Sequence, residues 1–176
     1  MDSTKSFVKI YNVTPELAED FEFYYDTAGI EDGSNDILNE LAPALDSWED
    51  VGWMEVEEYE YNIHNNTMHL TLETKWVPPV SWLKQASFNQ HFQNKLITMA
   101  TIQKDETCVT GVAVMDGEIL QNKYIFQMEP EEVGKYYEEE EPGYDLDELD
   151  NQIWDSIGKF VNVCEQFYLE KEEKDA

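Results

Sequence analysis

Acidic residues crowd the two flanks of this chain and leave its middle neutral. Residues 1–60 carry 17 Asp and Glu against 2 Lys, residues 61–128 carry 5 against 5, and residues 129–176 carry 17 against 4. Like charges repel one another in a compact state, so the flanks oppose collapse and the middle must supply most of the core. It has the material: 41% of the 176 residues are hydrophobic and 13% aromatic, enough for one globular domain despite the charge. The expected organisation is an α+β domain over 1–128 with an acidic N-terminal part, an acidic loop over 129–144, and an amphipathic helix over 145–174 packed on the same domain.

The net charge of −28 excludes several functions. Direct binding to nucleic acid or to an anionic membrane has the wrong electrostatic sign. There is no arginine, the residue best suited to bidentate phosphate recognition, and no glycine-rich phosphate loop. No apolar run approaches the ~18 residues of a membrane span, and MDSTKSFVKIYNV has no signal-peptide core. A cytoplasmic protein is expected. Cys108 and Cys164 are expected as buried reduced thiols.

Periodicity orders the elements. Phe7–Tyr11 reads as a short strand. Thr14, Pro15 and Glu16 give an N-cap, a first helical proline and a first-turn acid, predicting a helix to about Tyr25. A second short helix is expected over Asp36–Leu41. Tyr59, Tyr61 and Ile63 alternate with polar residues, and Asn65-Asn66 marks a hairpin turn. Met68, Leu70, Leu72, Thr74 and Trp76 alternate with His69, Thr71, Glu73 and Lys75, a half-buried strand stopped by Pro78-Pro79. Ser81–Phe92 reads as a helix with Trp82, Leu83 and Phe88 inward. Leu96–Gln103 and Thr107–Met115 read as strands, Asp116-Gly117 as a hairpin turn, and Ile119–Gln127 as a further strand. Leu146, Leu149, Ile153, Ile157, Phe160, Cys164 and Phe167 recur at helical spacing. Asp145 and Glu148 resemble a capping box before that run. The predicted fold is α+β: an antiparallel sheet with a ferredoxin-like β-α-β-β-α-β core plus a C-terminal helix.

Trp48, Gly52 and Trp53, followed by Thr74, Trp76, Pro78 and Pro79, resemble a phage- and plasmid-borne family of ferredoxin-like domains. That family has a Trp-Gly element, then a strand ending in Thr-x-Trp-x-Pro-Pro, then a helix. The match covers roughly residues 48–120, with Val51-Gly52-Trp53-Met54-Glu55 in place of the family's Gly-Thr-Lys-Trp run. The resemblance implies a fold and a mobile-element origin and transfers no site.

Catalytic and metal patterns are weak. His64 and His69 flank a hairpin without a convincing third ligand. Asp145, Asp147 and Asp150 resemble a fragment of a calcium loop without the rest of its pattern. Carboxylates are abundant, and none is singled out as an acid/base pair. Neither cysteine has a basic context. No enzyme activity, metal or cofactor is expected. Trp82 and Trp154 read as packing residues, while Trp48 and Trp53, in the acidic flank, are candidate interface anchors.

The charge itself is the strongest functional signal. Duplex DNA carries about one negative charge per 1.7 Å, so the net charge equals that of roughly 48 Å of duplex, about 14 base pairs. Phage DNA-mimic inhibitors have similarly acidic compositions. The expected function is an acidic DNA-mimicking inhibitor, phage-encoded and acting in the host cytoplasm, that occupies the DNA-binding groove of a basic host DNA-binding protein or nuclease complex of the restriction or CRISPR type. Candidate partner-binding residues form three groups. The first helix offers Glu16, Glu19, Asp20 and Glu22. The stretch before and into the sheet offers Asp46, Glu49, Asp50, Glu55, Glu57, Glu58 and Glu60. The third group is Glu138, Glu139, Glu140, Glu141, Asp145, Asp147, Glu148 and Asp150. The alternative is an acidic adaptor or assembly protein that binds through its C-terminal helix and tryptophans. A homodimer is compatible with either, through a second apolar face of that helix.

Overall fold

A computed structural model describes residues 4–26, 54–75, 77–103, 108–128 and 146–169. The expected helix over Asp36–Leu41, the loop over 129–144, and Trp48, Trp53 and Trp76 lie outside the described residues.

Six strands and three α-helices are described: β1 (Thr4–Ile10), α1 (Pro15–Asp26), β2 (Met54–Asn62), β3 (Thr67–Thr74), α2 (Val80–Ser87), β4 (Ile97–Gln103), β5 (Cys108–Met115), β6 (Glu118–Gln127) and α3 (Leu146–Cys164). The strands form one antiparallel sheet in the order β2-β3-β1-β4-β5-β6. The fold is therefore α+β. The six strands are those expected from the sequence, and β5 and β6 extend the sheet beyond its first four strands.

β1 is central, and its two faces behave differently. Val8 and Ile10 are buried on one face with Leu70, Leu72, Ile97, Met99, Val112 and Val114 from neighbouring strands. α1 and α2 cover this face through Ala18, Phe21, Trp82, Leu83 and Ala86. Phe21 stacks on Phe92 at 5.6 Å between ring centroids. On the opposite face α3 lies over β4, β5 and β6, burying Ile157, Phe160 and Cys164 against Ala100, Val109 and Ala113. A small residue makes that approach possible. A Cβ built on Gly111 would stand 2.8 Å from the Phe160 ring. Gly111→Ala is therefore expected to cost about 1–3 kcal/mol, because the ring must leave its place over β5. A urea titration checks this, and an unchanged midpoint would show that α3 repacks freely.

Two helix ends differ from the sequence reading. The helix expected to reach Phe92 stops at Ser87, and a 3₁₀ turn follows over Gln90–Phe92. The Ser87 hydroxyl donates to the Lys84 carbonyl (2.7 Å), and the Asn89 side chain accepts from the His91 backbone N–H (3.0 Å). These local bonds compete with helix continuation. Phe88, expected inside, is 73% exposed as a result. The C-terminal helix changes to a π turn over Glu165–Leu169. The start of α1 matches its signal: the Thr14 hydroxyl accepts from the Leu17 N–H at 3.3 Å. No helix among the described residues is long and apolar enough to cross a membrane.

Candidate acidic interface

α1 lies over the β2 edge of the sheet, held there by two tyrosines of β2. Tyr59 donates to the Ala18 carbonyl (2.7 Å) and Tyr61 to the Val13 carbonyl (2.6 Å). Ala18 and Phe21 face inward, so helical geometry turns Glu16, Glu19, Asp20 and Glu22 outward, and all four are exposed. Both tyrosine hydroxyls are pushed up first by burial and then by α1 carboxylates, Glu22 acting on Tyr59 and Glu16 on Tyr61. The helix acids are thus within electrostatic reach of the edge strand.

β2 presents its own acids on the other side of the same edge. Its inward residues are Met54, Val56, Tyr59 and Tyr61. Alternation therefore sends Glu55, Glu58 and Glu60 to the opposite face, and a bulge between Val56 and Glu58 accommodates Glu57. The register builds three rows across this face: Lys5, Glu73 and Glu55; Phe7, Thr71 and Glu58; Lys9, His69 and Glu60.

Two of the three candidate groups meet here in part. Glu16, Glu19, Asp20 and Glu22 border one side of the β2 edge, and Glu55, Glu57, Glu58 and Glu60 the other. Asp150 is exposed on α3, which lies on the opposite face of the sheet from α1. Asp147 and Glu148 belong to α3, but their side chains are outside the described set. Asp46, Glu49, Asp50, Glu138, Glu139, Glu140, Glu141 and Asp145 lie outside the described residues.

The acidic edge is backed by lysines that the sequence did not single out. Lys5 pairs with Glu57 at 3.3 Å, and carboxylate oxygens of Glu55, Glu57 and Glu73 lie within 4.8 Å of one another. The Lys5 ammonium supplies positive charge beside this cluster. A hydrogen bond with Glu73, then burial, pushes the Glu57 carboxyl above the usual carboxylate range against the pull of Lys5. A group raised on folding favours the folded state at pH below its unfolded value, and that contribution is lost as pH rises through the folded value. Glu73→Gln is therefore expected to lower the Glu57 titration midpoint and to gain stability on the wild type at pH 7 relative to pH 4. Carboxyl NMR titration reads the first effect and urea unfolding the second. An unmoved midpoint would refute the shared hydrogen bond.

A second cluster closes the far side of β1. Glu165 accepts from the Tyr11 hydroxyl (2.6 Å) and from Lys9 (2.8 Å), and the Lys9 ammonium stands 4.9 Å from the Tyr11 ring centroid. Burial pushes Glu165 up, but the Lys9 and Tyr11 hydrogen bonds outweigh it and leave the carboxyl below its usual range. This clamp fastens the π turn to the sheet. Beside it, burial pushes the Cys164 thiol up to about 11, and Cys108 is also buried, with neither cysteine in a disulfide.

Several sequence candidates have structural places. Trp82 is 2% exposed and belongs to the core, whereas Trp154 is 51% exposed with its ring 5.0 Å from Phe7. His64 is exposed at the hairpin, and His69 Nε2 is 3.1 Å from the Thr67 hydroxyl. Neither joins a three-ligand cluster among the described residues. Glu73, Lys5, Lys9 and Glu165 were missed as site residues. The alternation of β3 showed that Glu73 points outward, but only strand pairing places it between Lys5 and Glu55. Comparison with protein-family models, curated proteins and solved structures finds no match.

Proposed function

We propose that this protein is an acidic DNA mimic that occupies the DNA groove of a basic host protein, of the restriction or CRISPR type, and inhibits it. The observation that carries the reading is the pair of carboxylate rows flanking one sheet edge, from α1 on one side and β2 on the other. Outward residues two apart on a strand are about 6.6–6.8 Å apart. That is about twice the 3.4 Å axial rise per phosphate along one DNA strand. Two rows bordering an edge resemble two phosphate strands bordering a groove. The lysines Lys5 and Lys9 are tied to Glu57 and Glu165, which holds part of the positive charge in internal pairs. The proposal assigns no catalytic residue, metal or cofactor, and places the activity in the cytoplasm, where such host proteins work.

The fold reading is part of the proposal. We read β1-α1-β2-β3-α2-β4 as a ferredoxin-like core extended by β5, β6 and α3. Its support is the antiparallel order β2-β3-β1-β4, in which each helix links two strands separated by a third. A mobile-element origin rests on the Thr74 and Pro78-Pro79 motif.

The test is capture of partners from host lysate on the immobilised protein, followed by elution with duplex DNA at moderate salt. The expected result is release of a DNA-binding protein or nuclease complex. A partner that resists DNA and leaves only in denaturant would overturn the mimic. The half-exposed Trp154 on α3 favours the adaptor reading, and that outcome would support it. Capture of no partner would leave the charge as a solubility device.

A further inference from the structure

We propose that the trough between β6 and α3 is a strand-addition site for an extended acidic segment of a partner protein. β6 is one of the two edges of the sheet and, at ten residues, its longest strand. An edge strand presents backbone N–H and C=O groups to any chain that aligns with it, and proteins commonly guard such edges with charge and bulges. Both edges are irregular, β2 with one register shift against β3 and β6 with two against β5, but they differ in charge: β2 carries Glu55, Glu57, Glu58 and Glu60. β6 has one acid, Glu118 at its first position, and none from Ile119 to Gln127. β6 thus belongs to the neutral middle of the chain, where residues 61–128 hold only 5 acids.

The trough has the dimensions of a peptide site. Its volume is about 580 Å³, and Lys123 and Phe126 of β6 face Gln152, Lys159 and Val163 of α3. The helix residues 152–163 span about 16 Å, the length of about five residues of strand. Val163 is 49% exposed, so apolar surface is open on the α3 wall, and Tyr124, 60% exposed, leaves apolar surface open on the other face of the same edge. A segment hydrogen-bonded to β6 would send alternate side chains beneath α3, toward Lys123 and Lys159. Its intervening side chains would turn to the other face, the side of Tyr124's ladder partner Thr110.

Charge identifies the occupant. Lys123 and Lys159 make no ion pair among the described residues, in contrast to Lys5 and Lys9. Asp155 is the one acid lining the trough. Two lysines on opposite walls fit a segment with Asp or Glu at alternate positions. The acidic β2 edge is five strand spacings away, about 24 Å, or about three Debye lengths at physiological salt. Its repulsion is therefore largely screened at the trough. A second copy fits less well, since two-fold pairing of β6 would bring each molecule's Lys123 toward its counterpart. This site is independent of the DNA-mimic surface.

The test uses two synthetic eight-residue peptides, one alternating Glu with Val and one alternating Lys with Val, added to the full chain. The expected result is binding of the Glu peptide by fluorescence anisotropy, with amide NMR shifts concentrated on residues 118–127. The double variant Lys123→Glu and Lys159→Glu should weaken it at least tenfold, whereas Lys84→Glu, at an exposed position of α2, should leave it unchanged. Circular dichroism confirms that both variants fold. Failure of the Glu peptide to shift β6, equal binding of the Lys peptide, or a dimer by light scattering that Tyr124→Lys dissociates would each overturn the proposal.

Discussion

Changing Glu16, Glu19, Glu55 and Glu58 together to lysine is expected to abolish capture of the DNA-binding partner while the chain still folds. All four are exposed and flank the β2 edge. Each reversal removes one attraction and adds one repulsion, each worth roughly 0.5–1 kcal/mol for solvent-exposed pairs. Together they amount to about 4–8 kcal/mol, a loss of more than roughly 10³-fold in affinity. The wild-type complex should also weaken steeply with salt, and the variant's residual binding should respond less. Binding titrations at two salt concentrations check both points. Wild-type affinity in the variant would sink the mimic reading and return attention to α3. Stability should change little or rise, since four reversals reduce the self-repulsion of a −28 chain.

The largest expected effect on stability is from Trp82→Ala. Trp82 is 2% exposed, on α2, within the main core shared with Leu83, Ala86 and the sheet residues. Truncating a buried aromatic costs about 3–5 kcal/mol, through lost burial and the cavity left behind. Domains of this kind have only about 5–15 kcal/mol in total. The expected fall in Tm is roughly 6–20 °C. Trp154→Ala, at a site half open to solvent, should cost much less. Thermal melts of the two variants decide the matter, and equal losses would contradict the different environments of the two rings.

Much of the architecture was legible where one face of an element meets core and the other meets water. β3 alternates as its sequence predicts, with Thr67, Met68, Leu70, Leu72 and Thr74 buried and His69, Thr71 and Glu73 half-buried. Asp116 and Gly117 form the expected tight hairpin turn, both at positive φ (52° and 78°). β4 and β5 show almost no alternation because helices cover both their faces. Such runs reveal a buried strand but not its neighbours. The acids of α1 and β2 were visible as groups, but their meeting at one edge depends on β2 pairing with β3, on Tyr59 reaching Ala18 of α1 and on Tyr61 reaching Val13 just before it. The buried hydroxyls were also missed. Ser6 and Thr101 bond side chain to side chain at 2.8 Å, beside the buried Thr4, Thr74 and Thr110. Small polar residues at inward strand positions were the available signal.

The central place of β1 makes assembly of the sheet wait on later parts of the chain. Residues 4–10 leave the ribosome early, yet their partners β3 and β4 lie at residues 67–74 and 97–103. At about 5–20 residues per second, β1 waits at least roughly 3–12 s for its first neighbour. During that wait a strand carrying Phe7, Val8 and Ile10 is unpaired, and most of the chain synthesised behind it is the acidic N-terminal flank. That acidic stretch keeps nascent chains apart, so the charge that shapes the finished surface also shields the strand on which the whole sheet is later assembled.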